Sequence, residues 1–250
     1  NPVFTLDRNQ CSRSPEYAGA QPNGLFFAGD QGQRIFQAPF SWKSLGVDVR
    51  GRSRVLHVNY RTSHQIRSQA DQLLDPEVTD LDGNTESRKG TVSLFSGPKP
   101  QVLIFDTCAE ESMQVGQELK RWSDAGIELQ EIAVFVRSSE QLDRALAAAG
   151  HAELKCHVLD DSLQSKTGHI GIGTMHLAKG LEYKAVVVMA CDDEVMPLSS
   201  RIESATDTSD MEHIYNTERH LLYVACTRAR EKLWISGVDP VSEFLDDLLQ

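Results

Sequence analysis

The chain has 250 residues, 40% of them hydrophobic and 24% charged, enough to bury a sizeable core in one large domain or in one domain plus part of another. Its five cysteines (Cys11, Cys108, Cys156, Cys191, Cys226) are odd in number, far apart and free of any C-x-x-C pair. That pattern argues against a disulfide framework or a zinc site and for a reducing, cytoplasmic setting. The formal net charge of −11 speaks against a broadly basic nucleic-acid-binding surface.

Residues 1–24 carry little pattern. Leu25–Ala28 reads as a short strand that turns through Gly29-Asp30-Gln31-Gly32-Gln33. A glutamine just past a strand end can hydrogen-bond a phosphate or a water while staying neutral; the plain alternative is a Gly-Asp turn. Residues 43–67 set six cations (Lys43, Arg50, Arg52, Arg54, Arg61, Arg67) against Asp48 alone, a local reversal of the overall charge. Val55–Val58 is the next strand, and Asn59-Tyr60-Arg61-Thr62-Ser63 leads from it into a helix, with Ser63 as the expected N-cap. The aromatic face of Tyr60 suits any flat base, and the Arg61 guanidinium matches phosphate oxygens.

Asp75–Pro100 is rich in Asp, Gly, Pro and Ser and reads as a connection with one short strand near Val92–Phe95. Beyond it, strands are expected at Val102–Phe105, Ile132–Val136, Ile170–Gly173, Ala185–Ala190 and Leu233–Ser236. Thr107-x-x-Glu110 and Ser138-x-x-Gln141 are capping boxes that start helices, and Gly126 and Gly150 stand where those helices should stop. The run Val186-Val187-Val188 predicts a strand buried on both faces. Ser199–Asp210 is polar, acidic and aperiodic and reads as a mobile loop. Alternating strands and helices imply an α/β fold with a parallel sheet and ligands at the carboxyl ends of its strands. The longest apolar run, Ala185 to Cys191, is too short to span a bilayer.

Two further strings place chemistry at element boundaries. In Gly173-Thr174-Met175-His176-Leu177-Ala178-Lys179-Gly180-Leu181-Glu182 a strand ends and a helical turn begins, so free backbone N–H groups, Thr174 and His176 together suit a phosphate of a nucleic-acid backbone. Glu218–Arg228 reads as a helix with Leu221, Leu222, Val224 and Ala225 facing inward and Thr227-Arg228-Ala229 at its end. Arg228 is expected there as an exposed helix-end cation, complementing the macrodipole by about 0.3–1 kcal/mol, so that its loss leaves folding nearly intact.

Taken in order, LFFAGDQGQRIF (25–36), VNYRTSHQI (58–66), GIGTMHLAKGLEYKAVVVMA (171–190) and ERHLLYVACTRAREKL (218–233) resemble motifs III, IV, V and VI of the UvrD/Rep-type superfamily 1 DNA helicases. The resemblance covers 25–250 and implies an α/β, RecA-like parallel sheet flanked by helices. It implies that Gln33 senses the γ-phosphate, that Tyr60 stacks on adenine and Arg61 meets the γ-phosphate. Glu182 would lie near the ribose and phosphates, with Lys179 and Gly180 beside it, and Arg228 would be the arginine finger. Thr174 and His176 would contact the DNA backbone, and Phe36 would stack on a base. Ala38 stands where many members have tryptophan, which moves that platform to Phe40 or Trp42 or removes it, and His220 replaces the second basic residue of motif VI.

No G-x-x-x-x-G-K-[ST] and no D-E-x-x-D after a strand occurs in the chain. In the family both belong to the first motor domain, which binds ATP and Mg²⁺. Residues 1–50 are therefore read as the tail of that domain and 51–250 as the second RecA-like motor domain of a longer ATP-dependent helicase that acts in DNA repair. The expected partners are single-stranded DNA and the first RecA-like domain of the same protein, with no membrane and no metal site of its own. This piece alone is expected to be inactive. About a hundred residues separate motifs IV and V, too few for the large helical insertion of full-size members. The alternative is a non-catalytic RecA-like module that binds nucleic acid or protein.

Overall fold

The computed structural model describes residues 58–75, 77–79, 85–87, 92–162 and 164–249. Strand β1 (Val58–Asn59) pairs in parallel with β4 (Val92–Ser93), and β2 (Glu77–Thr79) pairs antiparallel with β3 (Thr85–Ser87) between them in sequence. The main sheet has six strands: β5 (Gln101–Phe105), β6 (Ile132–Val136), β7 (Cys156–Val158), β8 (Ile170–Thr174), β9 (Tyr183–Val188) and β10 (Ala229–Val238). All run parallel in the order β5-β10-β9-β6-β8-β7. The expected α/β architecture is present. Five expected strands fall on β5, β6, β8, β9 and β10, whereas β7 carries no apolar run that would have announced it.

Successive side chains of a strand face opposite ways, and here the central strands serve two cores. Val186 and Val188 of β9, with Ala133 and Phe135 of β6, belong to one apolar cluster. Ala185 and Val187, with Ile132, Val134 and Val136, belong to the other. The valine run is buried on both faces, as its composition predicts. Each such side chain contributes about 1.5–3 kcal/mol when fully buried.

Helices α1 (His64–Ala70), α2 (Cys108–Asp124), α3 (Leu142–His151), α4 (Ser199–Glu203), α5 (Thr208–Cys226) and α6 (Glu243–Leu248) complete the described elements. The second cluster is covered by α2 and α3: Val115, Leu119 and Trp122 form one stripe of α2, and Ala145, Ala148 and Ala149 face it from α3. The first is covered by α1, α5 and α6. Ser63 accepts from the Ile66 N–H and caps α1, as expected. Thr107 caps α2 by accepting from the Glu110 N–H at 3.1 Å, and the Ser138–Gln141 capping box forms ahead of α3.

Two expectations fail. Gly150 lies inside α3, which runs to His151; the left-handed residue just beyond the helix is Glu153, at φ 55°. The stretch 199–210 is not a loop throughout: it holds α4 and the first turn of α5. Its acidic composition hides a helix start, because Asp207 caps α5 by accepting from the Asp210 N–H at 2.8 Å. Among the described residues no helix is long and apolar enough to cross a membrane.

Candidate nucleotide and nucleic-acid sites

The string 173–182 begins at one end of the sheet and finishes at the other. Thr174 closes β8 at its carboxyl end, a 3-10 turn follows at Met175–Ala178, and Gly180 turns the chain at φ +88° into Leu181, Glu182 and the amino end of β9. Its candidate groups, Thr174 and His176 on one side and Lys179 and Glu182 on the other, are thereby divided between opposite ends of the strands.

At the amino ends of β9 and β10, Arg61 and Glu182 form an ion pair, Nε to Oε2, at 3.0 Å, with side chains 43% and 42% exposed. The backbone around Arg61 is held from both sides. Asn59 Oδ1 accepts from the N–H groups of Arg61 at 2.9 Å and Thr62 at 3.3 Å, and the Ser63 N–H donates to the Arg230 carbonyl at 3.0 Å. Tyr60 is 70% exposed beside this pair in sequence, so its ring is open to a stacking partner. Lys179 is half-buried at the turn, ahead of Gly180.

Arg228 departs from the expected exposed position: it is 1% exposed. Its Nε donates to the Val224 carbonyl at 3.0 Å, Nη1 to the Leu181 carbonyl at 3.3 Å and Nη2 to Thr227 Oγ1 at 3.3 Å. Its own carbonyl accepts from the Tyr183 N–H at 3.0 Å. The guanidinium thus satisfies a carbonyl at the end of α5 and joins it to the turn that carries Glu182. The Val224 carbonyl also accepts from the Thr227 hydroxyl at 3.1 Å, so the guanidinium adds to bonds already present at the end of α5. The return segment 175–182 carries Lys179 and Glu182 to the amino ends of the strands, where Arg61, ahead of α1, pairs with Glu182 and Arg228, at the end of α5, reaches the Leu181 carbonyl.

Thr174 and His176 lie at the other edge, beside the end of β6. Here Arg137 and Glu218, 2% and 0% exposed, form a bidentate pair: Nε to Oε2 at 2.5 Å and Nη2 to Oε1 at 2.6 Å. Arg201 of α4 adds a bond from Nη1 to Glu218 Oε1 at 2.9 Å. His176 is half-buried; burial first, then the Arg137 guanidinium, hold its imidazole below the usual pKa. The Arg137–Glu218–Arg201 network went unseen in the sequence, where Glu218 and Arg219 read as parts of one helix motif and Arg137 lies far from both. Arg219 serves packing instead: its guanidinium sits 4.6 Å above the Phe244 ring and pairs with Asp247 of α6. Gln33 and Phe36, with Ala38, Phe40 and Trp42, lie outside the described residues.

The parallel sheet with helices on both faces, and arginines gathered at the ends of its strands, define a RecA-like α/β domain. Residues 151–239 match the UvrD-like helicase C-terminal domain family. A solved structure, the C-terminal domain of a possible DNA helicase from Lactobacillus plantarum WCFS1, shares the fold at a TM-score of 0.52 and 19% identity, covering 76% of this chain and 94% of that one. The chain is 30% identical over 102 residues to the ATP-dependent DNA helicase UvrD1 of Mycobacterium tuberculosis, which covers 36% of this chain and 12% of the relative. It is 37% identical over 77 residues to the ATP-dependent DNA helicase PcrA of Staphylococcus epidermidis, 31% of this chain and 10% of that protein. The matches thus span a small part of each relative's length.

Proposed function

We propose that the chain is the C-terminal motor half of an ATP-dependent DNA helicase or translocase, with 1–50 as the tail of a first RecA-like domain and 51–250 as the second. The observation that carries this reading is the grouping at the amino ends of β9 and β10. There a solvent-open Tyr60 ring precedes the Arg61–Glu182 pair, next to a turn that Arg228 fastens to α5. These groups fit one half of a nucleotide site. The ring offers a face to adenine, Glu182 an acceptor for ribose hydroxyls, and Arg61 a fork for the γ-phosphate. On this reading Mg²⁺ is held mainly by the first domain, where the family keeps its phosphate loop.

ATP bound between the two domains supplies the phosphoryl group whose transfer to water drives movement. This chain's part is to bind the base, neutralise phosphate charge and keep the turn at Leu181–Glu182 in place. Arg61 and Arg228 remain the two finger candidates, with Gln33 as the sensor from the first domain. Exposure favours Arg61 as the group that reaches phosphate and Arg228 as the group that holds the site together. Thr174 and His176, at the far edge, take the single-stranded DNA backbone, together with Phe36 for stacking. The 3-10 turn 175–178 and α5 run between the two edges and give ATP and DNA a shared physical link.

The test is DNA-stimulated ATP hydrolysis by the protein that joins this chain to a phosphate-loop domain. Arg61→Ala should lower kcat on the order of 10²-fold or more, given the range for arginines on a transferring phosphoryl group. Lysine should rescue it poorly, because a point charge lacks the planar fork. Wild-type protein with no ATP hydrolysis at saturating DNA would overturn the motor reading and favour a binding module. The isolated chain should bind a non-hydrolysable ATP analogue weakly in isothermal titration; submicromolar binding would contradict the half-site.

A further inference from the structure

We infer that Arg201, on α4, contacts a phosphodiester of single-stranded nucleic acid at the carboxyl edge of the sheet, with Glu218 and Arg137 as the residues that position it; this rests on the reading of that edge as the DNA side. Glu218 is 0% exposed, yet one carboxylate faces two guanidinium groups. Arg137 takes both of its oxygens in a fork, at 2.5 and 2.6 Å, and is itself 2% exposed. It is spent inside the protein. Arg201 reaches the same Oε1 from outside at 2.9 Å, and its side chain is 33% exposed. Two cations against one anion leave one positive charge, and Arg201 is the member of the three that opens to solvent.

Burying a carboxylate is costly unless it is paired and hydrogen-bonded. Pairing with Arg137 alone would satisfy Glu218, so the second guanidinium is surplus to stability. Its consequence is a cation held in a fixed direction within electrostatic reach of His176. Other anchors restrain α4. The Ser199 hydroxyl donates to the Glu194 carbonyl at 2.8 Å, and that of Ser204 to the Arg201 carbonyl at 2.7 Å. Nearby acids are partly occupied: Asp207 caps α5, and Asp210 accepts from the Thr206 N–H at 3.3 Å. Glu203, exposed on α4, is the carboxylate that opposes an anion there. A single phosphate on a guanidinium fork, read without regard to base, is the ligand this arrangement fits.

The experiment is fluorescence anisotropy of the 250-residue chain with labelled single-stranded oligonucleotides of two unrelated sequences, titrated across salt concentrations. Each phosphate contact on a single strand contributes about −0.7 to the slope of log K against log salt. Arg201→Gln should make the slope shallower by about 0.7 and weaken binding roughly fivefold at 0.1 M salt, equally on both sequences. Arg201→Lys should restore the slope, and both variants should keep the wild-type thermal transition. Lost affinity with an unchanged slope would assign Arg201 a structural role and overturn the contact. An unchanged affinity and slope, on a wild type that binds, would overturn it while leaving Thr174 and His176 as the DNA side. No salt-dependent binding by the wild type would overturn the DNA reading and this contact with it.

Discussion

Exposure separates the two arginines that meet the Leu181–Glu182 turn. Arg61 points its charge partly into water, where an ion pair with Glu182 is worth about 0–1 kcal/mol and is easily exchanged for a better partner. Arg228 gives its donors to oxygens inside the protein. Arg228→Ala should therefore destabilise the fold by about 1–3 kcal/mol, the worth of hydrogen bonds from a buried charged group, measured as a shift in denaturant midpoint. A midpoint equal to wild type would mean that water replaces the guanidinium. His176 gives a pH dependence of known sign. Its folded-state pKa lies below the ordinary 6.5, through burial first and Arg137 second. Below 6.5 the unfolded chain binds the proton more readily, so stability falls as pH drops through the window beneath 6.5 and is fully present above it. Chemical denaturation from pH 7 to 5 should show this slope, and His176→Gln should flatten it. Residue types at both edges were legible in the sequence because the strings around Arg61, His176 and Arg228 fix what stands at each strand end. Burial was not, because the Leu181 carbonyl that closes on Arg228 lies 47 positions away, and Glu218 lies 81 from Arg137.

Helix packing is set by close approach. A Cβ added at Gly116 of α2 would lie 2.6 Å from the His151 Cβ and 2.8 Å from the Ala148 carbonyl of α3. Neither neighbour is the tip of a flexible side chain, so the helices would have to part. Gly116→Ala should cost about 1–3 kcal/mol, as overpacking does, despite alanine's better helix propensity. A thermal melt no lower than wild type would show that the α2–α3 interface is looser than it stands. Elements were readable where an apolar run or a cap marked them, as for β6, β9 and α2. They were hidden where the mark was weak: β7 is a three-residue strand, Cys156-His157-Val158, and the Asp207 cap of α5 stands in a polar stretch, Thr208-Ser209-Asp210, whose composition resembles a loop. Gly150 misled because glycine stops a helix only where the backbone turns left-handed, and here that residue is Glu153.

Across the whole molecule a second buried network ties the sheet to its helices. Glu111 of α2 is 0% exposed; its Oε1 accepts from the Ser236 hydroxyl at 2.6 Å and the Ala190 N–H at 3.1 Å, and its Oε2 faces the Arg144 guanidinium as an ion pair. Arg144 of α3 also pairs with Asp192 at 2.5 Å, and Asp192 accepts from the Val238 N–H at 2.7 Å. Burial raises the Glu111 pKa, opposed by Arg144. Removing one partner of such a pair strands the other, so Glu111→Ala should cost about 3–5 kcal/mol by equilibrium denaturation; a change below about 1 kcal/mol, within reach of an ordinary surface substitution, would show the network to be dispensable.

The strand order carries a consequence for how the chain acquires its shape. Among the described residues β5, spanning 101–105, stands at one edge of the main sheet and is paired with β10 alone, Trp234 lying opposite Gln101 and Val238 opposite Phe105. A ribosome must make well over a hundred further residues before β5 can find its neighbour, and loop closure over that distance is slow. During synthesis β5 waits as an open edge, a surface that invites pairing with another chain. Exposure to pairing with other chains during synthesis therefore follows from this topology, and a stop codon ahead of residue 229 removes the strand that, among the described residues, pairs with β5.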